Sequence, residues 1–264
     1  MKSTKTIGII GGGVMGELIA SNITKRFPDA SLMICERNPE HAKMLQKKYH
    51  ANVTADCNAL AAADIVILAV KPQDFRSAYM SVKKDALIIS IMAGVTVAAI
   101  RKKTGSKKIV RAMPNTPARF GKGFTAFFAT RAVPSKDIRF CSNLFDGFGI
   151  IMQVRSEEEI NKVTAITGSG PAYLIATLAH FIDAARSLGF EKEKAYQMVM
   201  QTLIGTEALL SDNGNPDSLI AQIASKGGTT QAALREFEKA GLRKIWLQAV
   251  RVALCRAREL SKLS

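Results

Sequence analysis

Cysteine and histidine are scarce in this chain, and their placement excludes several chemistries. The 264 residues include four cysteines and three histidines. Cys35, Cys57, Cys141 and Cys255 stand far apart, with no CxxC spacing, and His41, His50 and His180 do not cluster with them. A metal site or a disulfide framework is therefore not expected, and a reducing cytoplasmic compartment is the simplest home. Aromatic residues make up only 6% of the chain, and neither an RNA-binding aromatic signature nor a zinc-finger spacing is present.

Long apolar runs are lacking too. Lys2 and Lys5 precede an apolar stretch, as in a signal peptide, but Gly8, Gly11, Gly12, Gly13 and Gly16 break it before Glu17. No later stretch approaches the ~20 uninterrupted apolar residues of a membrane span, so a soluble protein is expected. Negative charge is in short supply: 22 acidic residues face 37 basic ones, a net charge of +15. The basic residues are dispersed, apart from a cluster of Arg101, Lys102, Lys103, Lys107, Lys108 and Arg111. Phosphate neutralisation on a nucleic acid is one reading of that charge. A basic surface that favours anionic small substrates and a phosphate-rich cofactor is the plainer one. Neither nucleic acid nor membrane is an expected partner.

What is present is apolar material in two patterns. Hydrophobic residues form 47% of the chain, enough for one large core or two modest ones. Up to residue 156, short β-like runs alternate with helical periodicity. Thr6–Ile10, Ser31–Cys35, Asp64–Val70, Ala86–Ile91, Lys108–Ala112, Phe124–Ala129 and Ile150–Val154 read as strands. Val14 to about Phe27 and Pro39–Tyr49 read as helices. DIVILAV and ALIISI are nearly continuous β-branched runs, suited to strands buried on both faces of a parallel sheet. The expected fold is α/β, with an N-terminal doubly wound Rossmann-type sheet over residues 1–156. Residues 157–264 read as an all-α domain for substrate binding and dimerisation. Its helices are expected over Ile160–Leu188, Lys192–Ser211, Pro216–Ala224 and Thr229 onward, with Gly189, Gly214 and Gly241 as caps or turns. The runs 172–185 and 195–210 are apolar on more than one face, which points to a homo-oligomer.

Gly11-Gly12-Gly13-Val14-Met15-Gly16 fits G-x-G-x-x-G directly between a strand and a helix. Gly11 allows the tight turn, Gly13 lets the backbone approach a pyrophosphate, and Gly16 lets helix and strand pack closely. The N–H groups at the helix start, from Val14 and Met15, then hold the anion. Glu36 ends the second strand, twenty residues past Gly16, where an acid bonds a ribose 2′-hydroxyl and favours NADH. Arg37 follows, and an arginine there receives the 2′-phosphate of NADPH. A solvated Glu36–Arg37 charge pair is the plain alternative. The cofactor is thus NADPH or NADH.

Four further segments stand in order along the chain: Ala69-Val70-Lys71-Pro72-Gln73, Arg111-Ala112-Met113-Pro114-Asn115-Thr116-Pro117, Thr167-Gly168-Ser169-Gly170-Pro171-Ala172-Tyr173, and Ser225-Lys226-Gly227-Gly228-Thr229-Thr230. Together they resemble the signature segments of pyrroline-5-carboxylate reductases, over nearly the whole chain. The resemblance implies an NAD(P)H-dependent oxidoreductase that reduces the C=N bond of 1-pyrroline-5-carboxylate to L-proline. It implies that Ala69, Val70, Lys71 and Pro72 bind the cofactor, Lys71 and Pro72 lining the nicotinamide ribose, that Asn58 contacts the adenosine ribose or its phosphate, and that Asn115 and Thr116 lie near the nicotinamide. It further implies that Ser225 and the N–H groups of Gly228 and Thr229 take the substrate carboxylate, while Thr230 bonds the ring nitrogen as the catalytic positioner. Consecutive glycines before a helical pattern are independently suited to an anion, although Ser and Thr there are also common N-caps. Lys226 stands where the family usually has proline, which removes a rigid φ and adds a charge beside the cradle.

Two other readings are distinguishable. A β-hydroxyacid dehydrogenase shares the two-domain plan but needs a lysine and an asparagine where this chain has Leu174 and Leu178, and leucine cannot transfer a proton. A non-catalytic paralogue would keep the fold and bind nucleotide without turnover.

Overall fold

The structure, a computed structural model, describes residues 5–77 and 80–262. It divides into two compact units, Met1–Ser169 with Ala253–Ser264, and Gly170–Val252.

The first unit is built on one mostly parallel sheet. Its strands are β1 (Thr6–Ile10), β2 (Ser31–Cys35), β3 (Asn52–Thr54), β4 (Ile65–Leu68), β5 (Leu87–Ser90), β6 (Ile109–Met113), β7 (Gly123–Ala129) and β8 (Gly149–Gln153). They lie in the order β3-β2-β1-β4-β5-β6-β7-β8. Strand alternation sends successive residues to opposite faces. Ile7, Ile9, Ile34, Ile65 and Ile67 enter one core cluster, whereas Ile10, Cys35, Val66 and Leu68 enter the other. Every residue of β4 and β5 is buried, which explains their unbroken apolar character. Among the described residues, the one antiparallel pairing is that of β7 with β6. The connection 114–122 is shorter than the dozen or more residues that a parallel crossover requires. The three-residue β3 carries little apolar signal and was not expected from the sequence.

Helices α1 (Val14–Arg26), α2 (Pro39–Tyr49), α3 (Pro72–Ser77), α4 (Val97–Thr104), α5 (Ser135–Phe145) and α6 (Glu157–Val163) belong to this unit. Asn38 caps α2 by accepting from the Glu40 and His41 amides, at 3.0 Å each. Glu17 on α1 accepts from Lys48 Nζ at 2.7 Å and Tyr49 Oη at 3.1 Å, which ties α1 to α2.

The unit continues past residue 156 for a definite reason. The Arg111 guanidinium on β6, with 2% of its side chain exposed, reaches Glu157 at 2.9 Å and Asn161 at 3.2 Å, both on α6. The same Glu157 carboxylate accepts from the Val97 amide at the start of α4, at 2.7 Å. Ile160 is buried with Ala126 and Val154. The chain's last turns join them, with Arg258 Nε donating to Glu158 at 2.7 Å and Ser261 Oγ to Asn161 at 3.2 Å.

Two sequence expectations are corrected. Cys35 and Cys57 form a disulfide with a Cα–Cα distance of 5.3 Å. Parallel pairing of β2 with β3 sets Cys35 opposite Thr54, so the next turn returns Cys57 beside it. The long helix expected from Ile160 begins at Glu157 and is interrupted by a π turn over Thr164–Gly168. Within the helical stretch Glu157–Ser187 an 18-residue window has a mean hydropathy of 1.2, apolar enough to cross a membrane by length and composition alone.

The second unit is helical: α7 (Gly170–Ser187), α8 (Lys192–Asn213), α9 (Pro216–Ile223), α10 (Thr229–Lys239) and the greater part of α11 (Leu242–Lys262). The helical run expected from Thr229 onward is divided at Gly241, one of the glycines expected as caps or turns, which adopts φ +73°. Its few buried hydrophobic side chains are small or isolated: Ala185, Ala195, Val199 and Leu219. Ile175 (67%), Leu188 (79%) and Val252 (63%) are instead largely exposed, with Phe181, Ile204, Phe237 and Ile245 more than half so. Apolar surface on that scale is characteristic of helices that are covered on association.

Light scattering on the purified protein should therefore give a dimer or larger; a strictly monomeric active protein contradicts this reading. Glu157→Ala should lower the unfolding free energy by ~2 kcal/mol, less than the ~3–5 kcal/mol of a fully buried pair because Glu157 is partly exposed. Adding Arg111→Met should restore much of that loss in the same urea titration, since it removes the stranded charge.

Candidate active site

The glycine turn after β1 uses each glycine differently. Gly11 has φ +102°, and a Cβ there would lie 2.8 Å from the Ala69 carbonyl carbon. Its amide donates to the Cys35 carbonyl at 3.0 Å, which fixes the turn to the end of β2. A Cβ on Gly12 would meet Leu45 Cδ1 at 2.5 Å, and one on Gly16 would overlap the Gly11 carbonyl oxygen. Gly16 is therefore what allows α1 to start against β1. Gly13 is the exception. Its φ is −59°, and a Cβ built there meets nothing within 4 Å. The fold places no demand on glycine at this position.

The register of the sheet gathers the rest of the site. Ile10 pairs with Cys35 on one side and Leu68 on the other, so Gly11, Glu36 and Ala69 emerge together at one sheet edge. Here the strand order reverses about β1, the place where open α/β sheets bind ligands. A cleft of about 230 Å³ opens there, lined by Ile10, Gly11, Gly12, Gly13, Cys35, Glu36, Arg37, Cys57, Ala69, Val70, Lys71 and Asp74. It brings together Gly11, Gly13, Glu36, Arg37, Ala69, Val70 and Lys71 of the expected residues. Ile10, Gly12, Cys35, Cys57 and Asp74 were not anticipated. Gly12 was legible inside the motif; the two cysteines carried no local signal.

Glu36 is held in place. Its carboxylate accepts from the Gly12 amide at 3.1 Å and the Asn38 amide at 2.9 Å, and His41 Nδ1 lies 3.4 Å away. These partners, rather than Arg37, replace the charge pair considered from the sequence. Arg37 is exposed at the cleft.

The remaining expected residues lie outside the cleft lining. Val14 and Met15 form the first turn of α1, where amides have no intrahelical acceptor. Pro72 starts α3 beside Lys71. Asn58 Nδ2 donates to Asp56 at 3.1 Å and its Oδ1 accepts from the Ser81 amide at 3.3 Å, so this side chain ties its own turn to the segment around Ser81. Asn115 braces the π turn: its Nδ2 donates to the Thr167 carbonyl at 2.9 Å, and its Oδ1 accepts from the Phe124 amide at 2.8 Å. Thr116 follows it, exposed, in a 3-10 turn. Single π turns inside helices are frequent at functional sites.

In the second unit, Ser225–Thr230 turns into α10. Gly227 has φ +75°, and Gly228 is the N-cap residue, where a Cβ would meet Ser225 Oγ at 2.5 Å. One expected donor is corrected. The Gly228 amide donates to the Ser225 carbonyl at 3.0 Å, and the Gly227 amide to Gln231 Oε1 at 2.9 Å. The anion donors that remain are the first-turn amides of Thr229 and Thr230, together with the Ser225 hydroxyl. Lys226 is exposed in the turn.

Comparison with known proteins gives consistent matches. The family model described as pyrroline-5-carboxylate reductase dimerisation matches residues 157–260. The model described as NADP oxidoreductase, coenzyme F420-dependent, matches residues 6–94. The chain is 34% identical to the pyrroline-5-carboxylate reductase of Synechocystis sp. over 263 residues, covering 97% of this chain and 98% of that protein. It is similar to the solved pyrroline-5-carboxylate reductase of Coxiella burnetii, with 31% identity, a TM-score of 0.84 and coverage of 98% and 99%. The Plasmodium falciparum pyrroline carboxylate reductase, solved with NADP bound, is 28% identical with a TM-score of 0.81, covering 98% and 100% of the two chains.

Gly13→Ala isolates the ligand's demand from the fold's. Its unfolding free energy should stay within ~0.5 kcal/mol of the parent. Its Kd for NADP+ or NAD+, by titration calorimetry, should rise about 10-fold or more, the equivalent of ~1.4 kcal/mol.

Proposed function

The chain belongs to the pyrroline-5-carboxylate reductase family, and we propose that it reduces the C=N bond of 1-pyrroline-5-carboxylate to L-proline, the last step of proline biosynthesis, with NADPH or NADH. The observation that carries this reading is the glycine turn, where Gly13 alone is spared by the fold and left open toward the cleft. In this reading residues 1–156 form the dinucleotide-binding part and 157–264 the substrate-binding and dimerisation part. The enzyme works as a cytoplasmic homodimer or larger homo-oligomer, and its net charge of +15 favours its anionic substrate and cofactor.

Each residue has a physical task. Gly11 and Gly13 bring the backbone to the pyrophosphate, Gly16 seats α1, and the Val14 and Met15 amides donate to the phosphate oxygens. Glu36 accepts from a ribose hydroxyl, and Arg37 meets a 2′-phosphate when NADPH is the partner. Ala69, Val70, Lys71 and Pro72 line the nicotinamide ribose, Asn58 supports the adenosine side, and Asn115 and Thr116 border the nicotinamide. When bound, the dihydronicotinamide supplies the hydride that reduces the imine carbon. Ser225 and the Thr229 amide hold the substrate carboxylate. Gly228 contributes by leaving room for Ser225, its own amide being engaged. Thr230 bonds the ring nitrogen. A threonine hydroxyl is a weak acid at neutral pH, so Thr230 positions the nitrogen rather than protonating it. The cyclic imine is basic enough to take its proton from water, which fits motifs without His, Asp or Glu. Rate enhancement then rests on proximity and orientation.

The direct test follows dinucleotide oxidation with racemic 1-pyrroline-5-carboxylate, in parallel with NADH and NADPH, and measures the proline formed. Stoichiometric proline is expected; tight dinucleotide binding without turnover would support the non-catalytic reading instead. Thr230→Ala should lower kcat about 10-fold, the equivalent of one lost hydrogen bond, with the dinucleotide Kd nearly unchanged. Undiminished turnover in this variant removes Thr230 from the mechanism.

A further inference from the structure

Cys35 and Cys57 form a bonded pair in the wall of the dinucleotide cleft, and neither residue has a task in the reduction. Cys35 ends β2, and its carbonyl accepts from the Gly11 amide at 3.0 Å, so it is fixed to the glycine turn. The next residue is Glu36. Cys57 opens the 3-10 turn Cys57–Ala62, and the next residue is Asn58. The disulfide therefore links the two elements that flank the adenosine side of the cleft. Both residues are buried, in the cluster that contains Ile10, Leu60 and Leu68. Their Cα–Cα distance of 5.3 Å is ordinary for a disulfide. The other two cysteines lie elsewhere. Cys141 is buried in the opposite core cluster, where burial pushes its thiol up to about 12, and Cys255 is exposed on α11.

We infer that Cys35 and Cys57 form a thiol–disulfide switch, and that the bonded state binds the dinucleotide more tightly than the reduced state. This rests on the reading of the cleft as the dinucleotide site. Bonded sulfurs sit ~2 Å apart, whereas non-bonded heavy atoms need roughly 3.5–4 Å. Reduction must push the two side chains apart. The packed side, formed by Leu60 and Leu68, resists compression. The displacement is therefore taken up toward the cleft or by movement of the 3-10 turn. Either change alters the wall on which the adenosine half rests.

The exchange is chemically balanced with a low-molecular-weight disulfide as oxidant. One cysteine thiolate attacks it and releases the first small thiol; the second cysteine then attacks the mixed disulfide, closes the Cys35–Cys57 bond and releases the second. The cysteines lose two protons and two electrons in total, and the reagent is reduced to two thiols. Because both residues line the cleft, the reagent reaches them through it, and a bound dinucleotide shields them. Binding linkage is reciprocal. Whatever factor separates the two Kd values also shifts the thiol–disulfide equilibrium toward the bonded state when dinucleotide is saturating.

The experiment uses the full-length protein equilibrated across a series of reduced-to-oxidised glutathione ratios. Alkylation and mass spectrometry measure the bonded fraction, and calorimetry measures the Kd for NADP+ and NAD+ at the two extremes. The expected results are a single Cys35–Cys57 bond, a Kd about 5–10-fold tighter in the bonded state, and a midpoint glutathione ratio that dinucleotide shifts by the same factor. Cys57→Ser should bind like the reduced protein and lose the response, while Cys141→Ser should keep it. Equal Kd values in the two states of the parent protein overturn the switch, as does a pair that never bonds or never opens across the series. Gly13→Ala separates the two readings. If it leaves dinucleotide affinity unchanged, the assignment of the cleft fails; if it weakens binding while the thiol state has no effect, only the switch fails.

Discussion

The first turn of α1 packs on the Gly11 carbonyl with no room for a Cβ at Gly16, and this contact fixes where the Val14 and Met15 amides point. The same turn is held by the Gly11 amide on Cys35 and by the Gly12 amide on Glu36. One backbone crossing thus sets the positions of the first-turn amides of α1 and of the Glu36 carboxylate. The sheet register brings the ends of β2 and β4 to the same level, so the cleft is a consequence of strand pairing rather than of loop shape. Loops anchored in this way present a preformed site, which limits the ordering cost of binding.

The second unit obeys the opposite constraint. Its helices bury Ala185, Ala195, Val199 and Leu219 but leave large residues such as Ile175, Leu188 and Val252 open to solvent. The hydrophobic burial that normally offsets chain entropy is therefore incomplete within one chain. Family membership supplies the account, since residues 157–260 match a dimerisation model. The apolar character of Glu157–Ser187 fits this account, because a helix covered by other protein can be as hydrophobic as one that enters lipid.

Much of the α/β part was legible in the sequence because its signals are local. DIVILAV reads as a strand buried on both faces, and β4 is fully buried. The glycine motif announced its own turn, helix and packing contact. What escaped depended on pairing between distant segments. β3 has a single large apolar residue, Val53, and is a strand only because β2 lies beside it. The Cys35–Cys57 bond follows from that same pairing and has no spacing signature. The bracing of Asn115 between the Thr167 carbonyl and the Phe124 amide likewise joins distant segments and had no sequence signal. The Gly228 amide, read from two adjacent glycines as an anion donor, closes its own turn on Ser225. Sequence showed which backbone groups could be exposed; only the folded turn shows which are already used.

A crystal structure of the protein with an oxidised nicotinamide dinucleotide tests the central claim most directly. The account predicts a pyrophosphate over Gly11–Gly13, within hydrogen-bond distance of the Val14 or Met15 amide, and a ribose hydroxyl on Glu36 or a 2′-phosphate on Arg37. A dinucleotide seated away from the end of β1, with the Gly13 face bare, would contradict it.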